Sequence, residues 1–225
     1  MVVTPRPELN APDFEAMRHA MVVSQLRTSA VNDARVLAAM TAVPREKFVP
    51  EAARAQAYRD TGVAVGGGRA LNPPIATGRL LTELAIRQDE RVLVVGTAGG
   101  YTAAVVSMLG ESVVAVESDP TLAADAKAAL AAYPTVTLVE GPLGQGAAAS
   151  GPFDVILVDG AVAQVPDALI AQLKPGGRLA TGLVDRGVTR LAIGGRSEGG
   201  VGLPDFADVE CTVLPGFEKA AAFSF

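Results

Sequence analysis

The sequence predicts an α/β fold: a doubly wound, mostly parallel sheet with a helical N-terminal extension before it and antiparallel strands at the C-terminal end. Three observations carry this reading. The runs Arg91-Val92-Leu93-Val94-Val95 and Val113-Val114-Ala115-Val116-Glu117 are continuous in aliphatic residues, which suits strands buried on both faces. Between them lie Gly96-Thr97-Ala98-Gly99-Gly100-Tyr101 and a helix-length stretch, the strand, turn, helix, strand order of a parallel unit. The alternation then repeats downstream until about residue 188, where helical periodicity gives way to short apolar runs separated by Gly-rich turns.

Each element follows from local pattern. Over 13–29, Phe14, Met17, Met21 and Val22 stand at the three-and-four spacing of an amphipathic helix. Asn32 is the expected N-cap of a second helix whose buried stripe is Val36, Leu37 and Met40 and which Pro44 stops. Between about 43 and 74, Pro44, Pro50, Gly62, Gly66, Gly67, Gly68, Pro73 and Pro74 break any long element and predict a structured loop region. A helix over about 75–86 leads into the first parallel strand, near 91–95. There follow a helix near 100–109, a strand near 113–117, a helix near 120–132, strands near 136–140 and 153–158, a helix near 166–173 and a strand near 177–183. Strands at 188–193, 209–214 and 220–225 close the reading. Residues 1–225 are expected to form one domain, about 1–74 being the extension and loop and about 75–225 the core.

Composition narrows the function classes. With 225 residues, 49% hydrophobic and 19% charged, the chain buries one good-sized core. It has no apolar run long enough to span a bilayer, and Met1-Val2-Val3-Thr4-Pro5-Arg6-Pro7 lacks a signal peptide's basic segment and apolar block, so a soluble cytoplasmic protein is expected. A net charge of −5 without a basic block speaks against nucleic acid or an acidic membrane as partner. The single cysteine, Cys211, and single histidine, His19, leave no set of ligands for a zinc site, and no metal is expected. Cys211 reads as a small core residue and His19 as a surface or helix-packing residue.

The glycine turn carries the chemistry. Gly96, Gly99 and Gly100 let the backbone turn sharply and approach a ligand, and the helix after them offers its N-terminal N–H groups. Glu117 ends the next strand, where a carboxylate can accept hydrogen bonds from both hydroxyls of a ribose. The outline is a nucleoside-binding crevice, with tight packing as the plainer alternative. The dinucleotide spacing G-x-G-x-x-G fails, since Ala98 and Tyr101 stand where its second and third glycines would be. G-x-G-x-G fits at two of three positions. A nicotinamide-dependent oxidoreductase would rest on the turn and Glu117 alone, without the second βαβ half such a site uses. A second block, Phe153-Asp154-Val155-Ile156-Leu157-Val158-Asp159 with Leu173-Lys174-Pro175-Gly176-Gly177-Arg178-Leu179, ends a helix at Pro175 and turns the chain straight back into the sheet.

Together these blocks resemble a class I S-adenosylmethionine-dependent methyltransferase of Rossmann-like fold. Asp33-Ala34-Arg35-Val36-Leu37-Ala38-Ala39-Met40, Val43-Pro44-Arg45-Glu46-Lys47-Phe48-Val49-Pro50, Ala57-Tyr58-Arg59-Asp60 and Pro166-Asp167-Ala168-Leu169-Ile170-Ala171-Gln172-Leu173 narrow the resemblance to the protein-L-isoaspartate O-methyltransferase family, over about 25–184. The resemblance implies a protein-repair enzyme that uses S-adenosylmethionine to esterify the carboxylate of isoaspartyl residues in damaged proteins or peptides. That carboxylate is already ionised at neutral pH, so positioning and desolvation suffice without a strong general base. It also implies that Gly96, Thr97, Ala98, Gly99, Gly100 and Tyr101 wrap the methionine part of the cofactor and that Glu117 holds its ribose. Gly141, Pro142 and Leu143 would flank its adenine.

Four departures from the family lie where the family binds or reacts. Gly68-Arg69-Ala70-Leu71-Asn72-Pro73-Pro74 matches the family's Gly-Gln-Thr-Ile-Ser-Gln-Pro loop, so Ala70 and Asn72 replace hydroxyl residues. Asn72 still donates a hydrogen bond to a carboxylate and is the candidate catalytic residue; Ala70 cannot donate. Val94 stands where the family has an acid, and Pro142 where the acid of a Gly-Asp-Gly turn accepts the adenine amino group. At about 1–2 kcal/mol for each lost polar contact, two losses weaken cofactor binding roughly ten- to a thousandfold. The alternative to an active methyltransferase is a catalytically impaired member that binds a protein partner or another small ligand.

Overall fold

A computed structural model describes residues 12–197 and 200–218. The chain opens with α1 (Phe14–Met21), capped by Asp13, whose side chain accepts from the Ala16 N–H. The single helix expected over 13–29 is corrected. After Met21 the backbone widens to a π-turn at Val22–Leu26, tightens to a 3₁₀ turn at Arg27–Ser29 and ends at Ala30 with φ 60°. The β-branched pair Val22-Val23 resists α-helical packing, and the Thr28 hydroxyl donates back to the carbonyls of Ser24 and Gln25. Next comes α2 (Ala34–Ala42), which buries Val36, Leu37, Ala39 and Met40. Its N-cap is Asp33 rather than Asn32, with the carboxylate accepting from the N–H of Arg35 and Val36 at 2.7 and 3.3 Å.

Two 3₁₀ turns, Arg45–Phe48 and Glu51–Gln56, lead to an antiparallel hairpin of β1 (Val63–Gly66) and β2 (Arg69–Leu71). The hairpin forms because Val63, Val65, Arg69 and Leu71 alternate inward while Gly66, Gly67 and Gly68 make an exposed turn. Then α3 (Pro74–Leu84) begins on a proline at its first turn and stops at Ala85, φ 44°.

The core continues through β3 (Arg91–Val95), α4 (Tyr101–Val106), β4 (Ser112–Glu117), α5 (Pro120–Ala129), β5 (Val136–Glu140), β6 (Phe153–Val162), α6 (Asp167–Ile170), β7 (Leu173–Asp185), β8 (Val188–Ser197), β9 (Gly200–Val201) and β10 (Asp205–Ala207). The main sheet runs β10-β8-β7-β6-β3-β4-β5 with β9 beside β8. β5 through β7 are parallel along this path; β8 and β10 pair antiparallel. The helix expected over 166–173 shrinks to four residues because Leu173 already pairs with Phe153 in the sheet. Residues 209–214 form no strand; Val213 alone makes a parallel bridge to Ala161. The strand expected over 220–225 lies outside the described residues.

Two-sided burial accounts for the unbroken aliphatic runs. Val92, Val94, Val113 and Ala115 pack into one apolar cluster with the helices α2, α3, α4 and α5, while Leu93, Val95, Val114 and Val116 pack into a second with Leu143, Leu169, Leu214 and Phe217. The N-terminal ends of the strands are tied by charge. Asp154 accepts from Lys174 Nζ at 2.8 Å and from the Arg91 N–H at 2.9 Å. Arg178 grips Glu90 at 2.7 and 2.8 Å and donates to the carbonyls of Leu84 and Ala85 at the end of α3. No helix among the described residues is long and apolar enough to cross a membrane.

Candidate functional site

β3 lies between β4, which the chain reaches next, and β6, to which it crosses back from the edge strand β5, so a crevice forms beyond the carboxyl end of β3, where open α/β sheets bind ligands. The glycine turn sits there. Gly96 and Thr97 donate their N–H groups to the Val116 carbonyl at 2.9 and 3.2 Å, which locks the turn to the end of β4. Gly99 is obligatory for space, because a Cβ there would lie 2.2 Å from the Phe48 carbonyl oxygen. Ala98 adopts φ 48°, a left-handed conformation that costs a residue with a Cβ about 1–2 kcal/mol. Its N–H donates to Glu117 Oε2 at 2.7 Å and so holds it there.

Glu117 is wholly buried. Besides Ala98, it accepts at Oε1 from the N–H of Ser118 at 2.8 Å, from the N–H of Asp119 at 3.1 Å, and from Arg69 Nη1 at 2.8 Å. Arg69 comes from the β1–β2 hairpin and is itself buried, with Nη2 donating to the Gly96 carbonyl at 3.1 Å. A guanidinium therefore faces the carboxylate where a ribose is expected. Removing either partner leaves a buried unpaired charge, at a cost of about 3–5 kcal/mol.

The other sequence-derived residues fall around this pair. Thr97 and Tyr101 are buried in the turn and the first turn of α4, and neither the Thr97 nor the Tyr101 hydroxyl has a hydrogen-bond partner among the described residues. Burial pushes the Tyr101 phenol up to about 12, and the Arg45 guanidinium stacks over its ring at 4.6 Å from the centroid. The Gly141 N–H donates to the Glu117 carbonyl at 3.0 Å, Pro142 is exposed, and Leu143 is buried in the second cluster. Val94 is buried in the first cluster.

Asn72 is buried in a network of its own. Its Nδ2 donates to Asp159 Oδ1 at 2.8 Å, and its Oδ1 accepts from the Thr212 N–H at 2.8 Å and Cys211 Sγ at 3.2 Å. Burial raises the Asp159 carboxyl above the usual carboxylate range, and hydrogen bonds from Thr102 and Asn72 with the charges of Arg45 and Arg69 offset only part of this. Beside the network the Leu214 side chain lies over Gly96 and Gly160. Sequence reasoning missed Arg69, Asp159 and Leu214 as parts of the site. For Arg69 the signal was present, an arginine where the family's loop has glutamine.

A glycine turn at the switch point, a buried acid closing the next strand, and antiparallel strands finishing a parallel sheet define a Rossmann-like protein of the class I methyltransferase kind. The sequence model of the family "Protein-L-isoaspartate(D-aspartate) O-methyltransferase (PCMT)" matches residues 17–194. The chain is 44% identical over 169 residues to a protein-L-isoaspartate O-methyltransferase of Methylorubrum extorquens, covering 75% of this chain and 74% of that one. It is 42% identical over 171 residues to a second such protein, from Marinobacter nauticus, at 74% and 77% coverage. Among solved structures, one named protein-L-isoaspartate O-methyltransferase superposes with TM-score 0.76 at 23% identity, covering 88% of this chain and 66% of that longer one. Another, a β-aspartate methyltransferase from Plasmodium falciparum in complex with S-adenosyl-L-homocysteine, gives TM-score 0.74 at 18% identity, covering 91% and 99%. The chain belongs to the protein-L-isoaspartate(D-aspartate) O-methyltransferase family.

Proposed function

We propose that this chain is a cytoplasmic S-adenosylmethionine-dependent O-methyltransferase that esterifies isoaspartyl carboxylates in damaged proteins or peptides. The observation that supports this most is the unit running from Arg91 to Glu117, a complete strand, glycine turn, helix, strand and acid at the switch point, set inside a family match from 17 to 194. The cofactor supplies an electrophilic methyl on a sulfonium sulfur, and the substrate carboxylate is the nucleophile. The protein has to align the two and keep water away, which fits the burial of residues 92–100. In the conformation described here the residues do not fit the donor, since Glu117 is fully engaged by protein groups. They fit only with Arg69 withdrawn. Glu117, the 96–101 turn and the 141–143 turn would then line the nucleoside.

A second reading is favoured by Arg69 on Glu117 together with Val94 and Pro142: a member that keeps the fold and binds a protein partner or another small ligand without methyl transfer. Incubating the full chain with S-adenosylmethionine carrying a labelled methyl and an isoaspartyl peptide separates the two. A base-labile ester on the peptide, lost in Glu117→Gln, is expected. No ester from folded protein at millimolar donor would overturn the first reading.

A further inference from the structure

We propose that Arg69 is an internal competitor for the nucleoside: closure of the β1–β2 hairpin and binding of the donor's ribose to Glu117 are mutually exclusive, and the donor binds by displacing the hairpin. This rests on the methyltransferase reading above.

The argument is a count of lone pairs. An ionised carboxylate offers about four acceptor sites. Glu117 already accepts four bonds of 3.1 Å or less, from Ala98, Ser118, Asp119 and Arg69. Oε1 carries three of these bonds and Oε2 one, so two ribose hydroxyls cannot both be accepted while all four donors stay. Three of the four donors are backbone N–H groups of the glycine turn and of the residues directly after Glu117, so they cannot leave without dismantling the site. Arg69 alone comes from an element outside it. The second Arg69 bond, to the Gly96 carbonyl at 3.1 Å, lays the guanidinium across the turn itself.

β1 and β2 form a separate two-stranded sheet with no ladder to the main one. Its tip, Gly66 to Gly68, is exposed, and all three residues have positive φ. The tip approaches the site at Gly67, where a Cβ would lie 2.7 Å from Asp119 Oδ2. An arginine on a hairpin held to the core by the side chains of Val63, Val65 and Leu71, without ladder bonds, thus stands in for the polar ligand of a buried acid. The donor's apparent affinity is set by the fraction of molecules in which the hairpin is open.

Titration calorimetry with S-adenosylhomocysteine and hydrogen exchange of the 63–71 amides, on the full chain and on two variants, test this. Arg69→Gln removes the competitor. Gly67→Val keeps both charged side chains but disfavours the closed tip, where its Cβ would lie 2.7 Å from Asp119 Oδ2, so it covers the case in which Arg69→Gln fails to fold. Both variants should bind the ligand at least about tenfold more tightly, the gain expected when a closed state dominates the free protein. Ligand should speed exchange of the hairpin amides in the unmodified chain, the reverse of ordinary protection on binding. Equal affinities in all three proteins, or hairpin amides protected by ligand, overturn the competition and leave the methyltransferase reading standing. No binding by any of the three folded proteins at millimolar ligand overturns both.

Discussion

Asn72→Ala should destabilise the protein far more than removal of an active-site amide usually does. The side chain is 2% exposed and makes three hydrogen bonds, to Asp159 Oδ1, the Thr212 N–H and Cys211 Sγ. Truncation strips a buried carboxylate of a donor and a backbone N–H of its acceptor, each worth about 1–3 kcal/mol when left unsatisfied, while the weak sulfur contact adds little. The sum is about 2–6 kcal/mol. For a chain of this size each kcal/mol lowers Tm by roughly 2–4 °C, so a fall of roughly 4–24 °C is expected in a thermal melt. A double-mutant cycle with Asp159→Asn should show coupling of about 0.5–3 kcal/mol, as for residues sharing one network. A fall in Tm below about 2 °C, or additive effects in the cycle, would refute the network described for Asn72.

Leu214→Ala should cost about 2–5 kcal/mol in urea unfolding, since the side chain is 3% exposed and packs over Gly96 and Gly160; a loss below about 1 kcal/mol would show that the segment does not cover the turn. Acid should act through Glu90. Burial works to raise its carboxyl, but hydrogen bonds from Arg178 and the Arg87 N–H outweigh it and hold the group below its usual range. A depressed folded value means stabilisation fully present above the unfolded value of about 4.3 and lost as pH falls through the folded one. Glu90→Gln should therefore lower Tm at pH 7, with the gap to the unmodified protein narrowing as pH falls below about 4.3; a gap of constant size would contradict this.

Much of the fold was legible because the parallel core strands bury both faces. Val92 to Val95 and Val113 to Val116 have no polar side, and the structure sends alternate residues to two different apolar clusters. Legibility failed where local back-bonding or long-range pairing overrides helical periodicity. The π-turn at Val22–Leu26 and the shortening of α6 (Asp167–Ile170) are set by side-chain back-bonding and by sheet pairing at Leu173. At the site, the placement of the turn beside Glu117 follows from the sheet register. The Arg69 partnership does not, because it joins residues 48 positions apart through a hairpin too short to have a strong strand signature. Ala98 was visible as a missing glycine; that it nonetheless takes φ 48° depends on the Glu117 carboxylate.

The position of Leu214 over Gly96 also sets an order of events during synthesis. The turn and its acid, residues 96–117, leave the ribosome long before residues 211–214, whose side chains and N–H groups roof the crevice. At typical elongation rates the interval is on the order of ten seconds, far longer than the microseconds in which local hairpins and helices form. Every new molecule thus passes through a stage in which the Arg69 hairpin can form and dock on Glu117 while the crevice still has no roof.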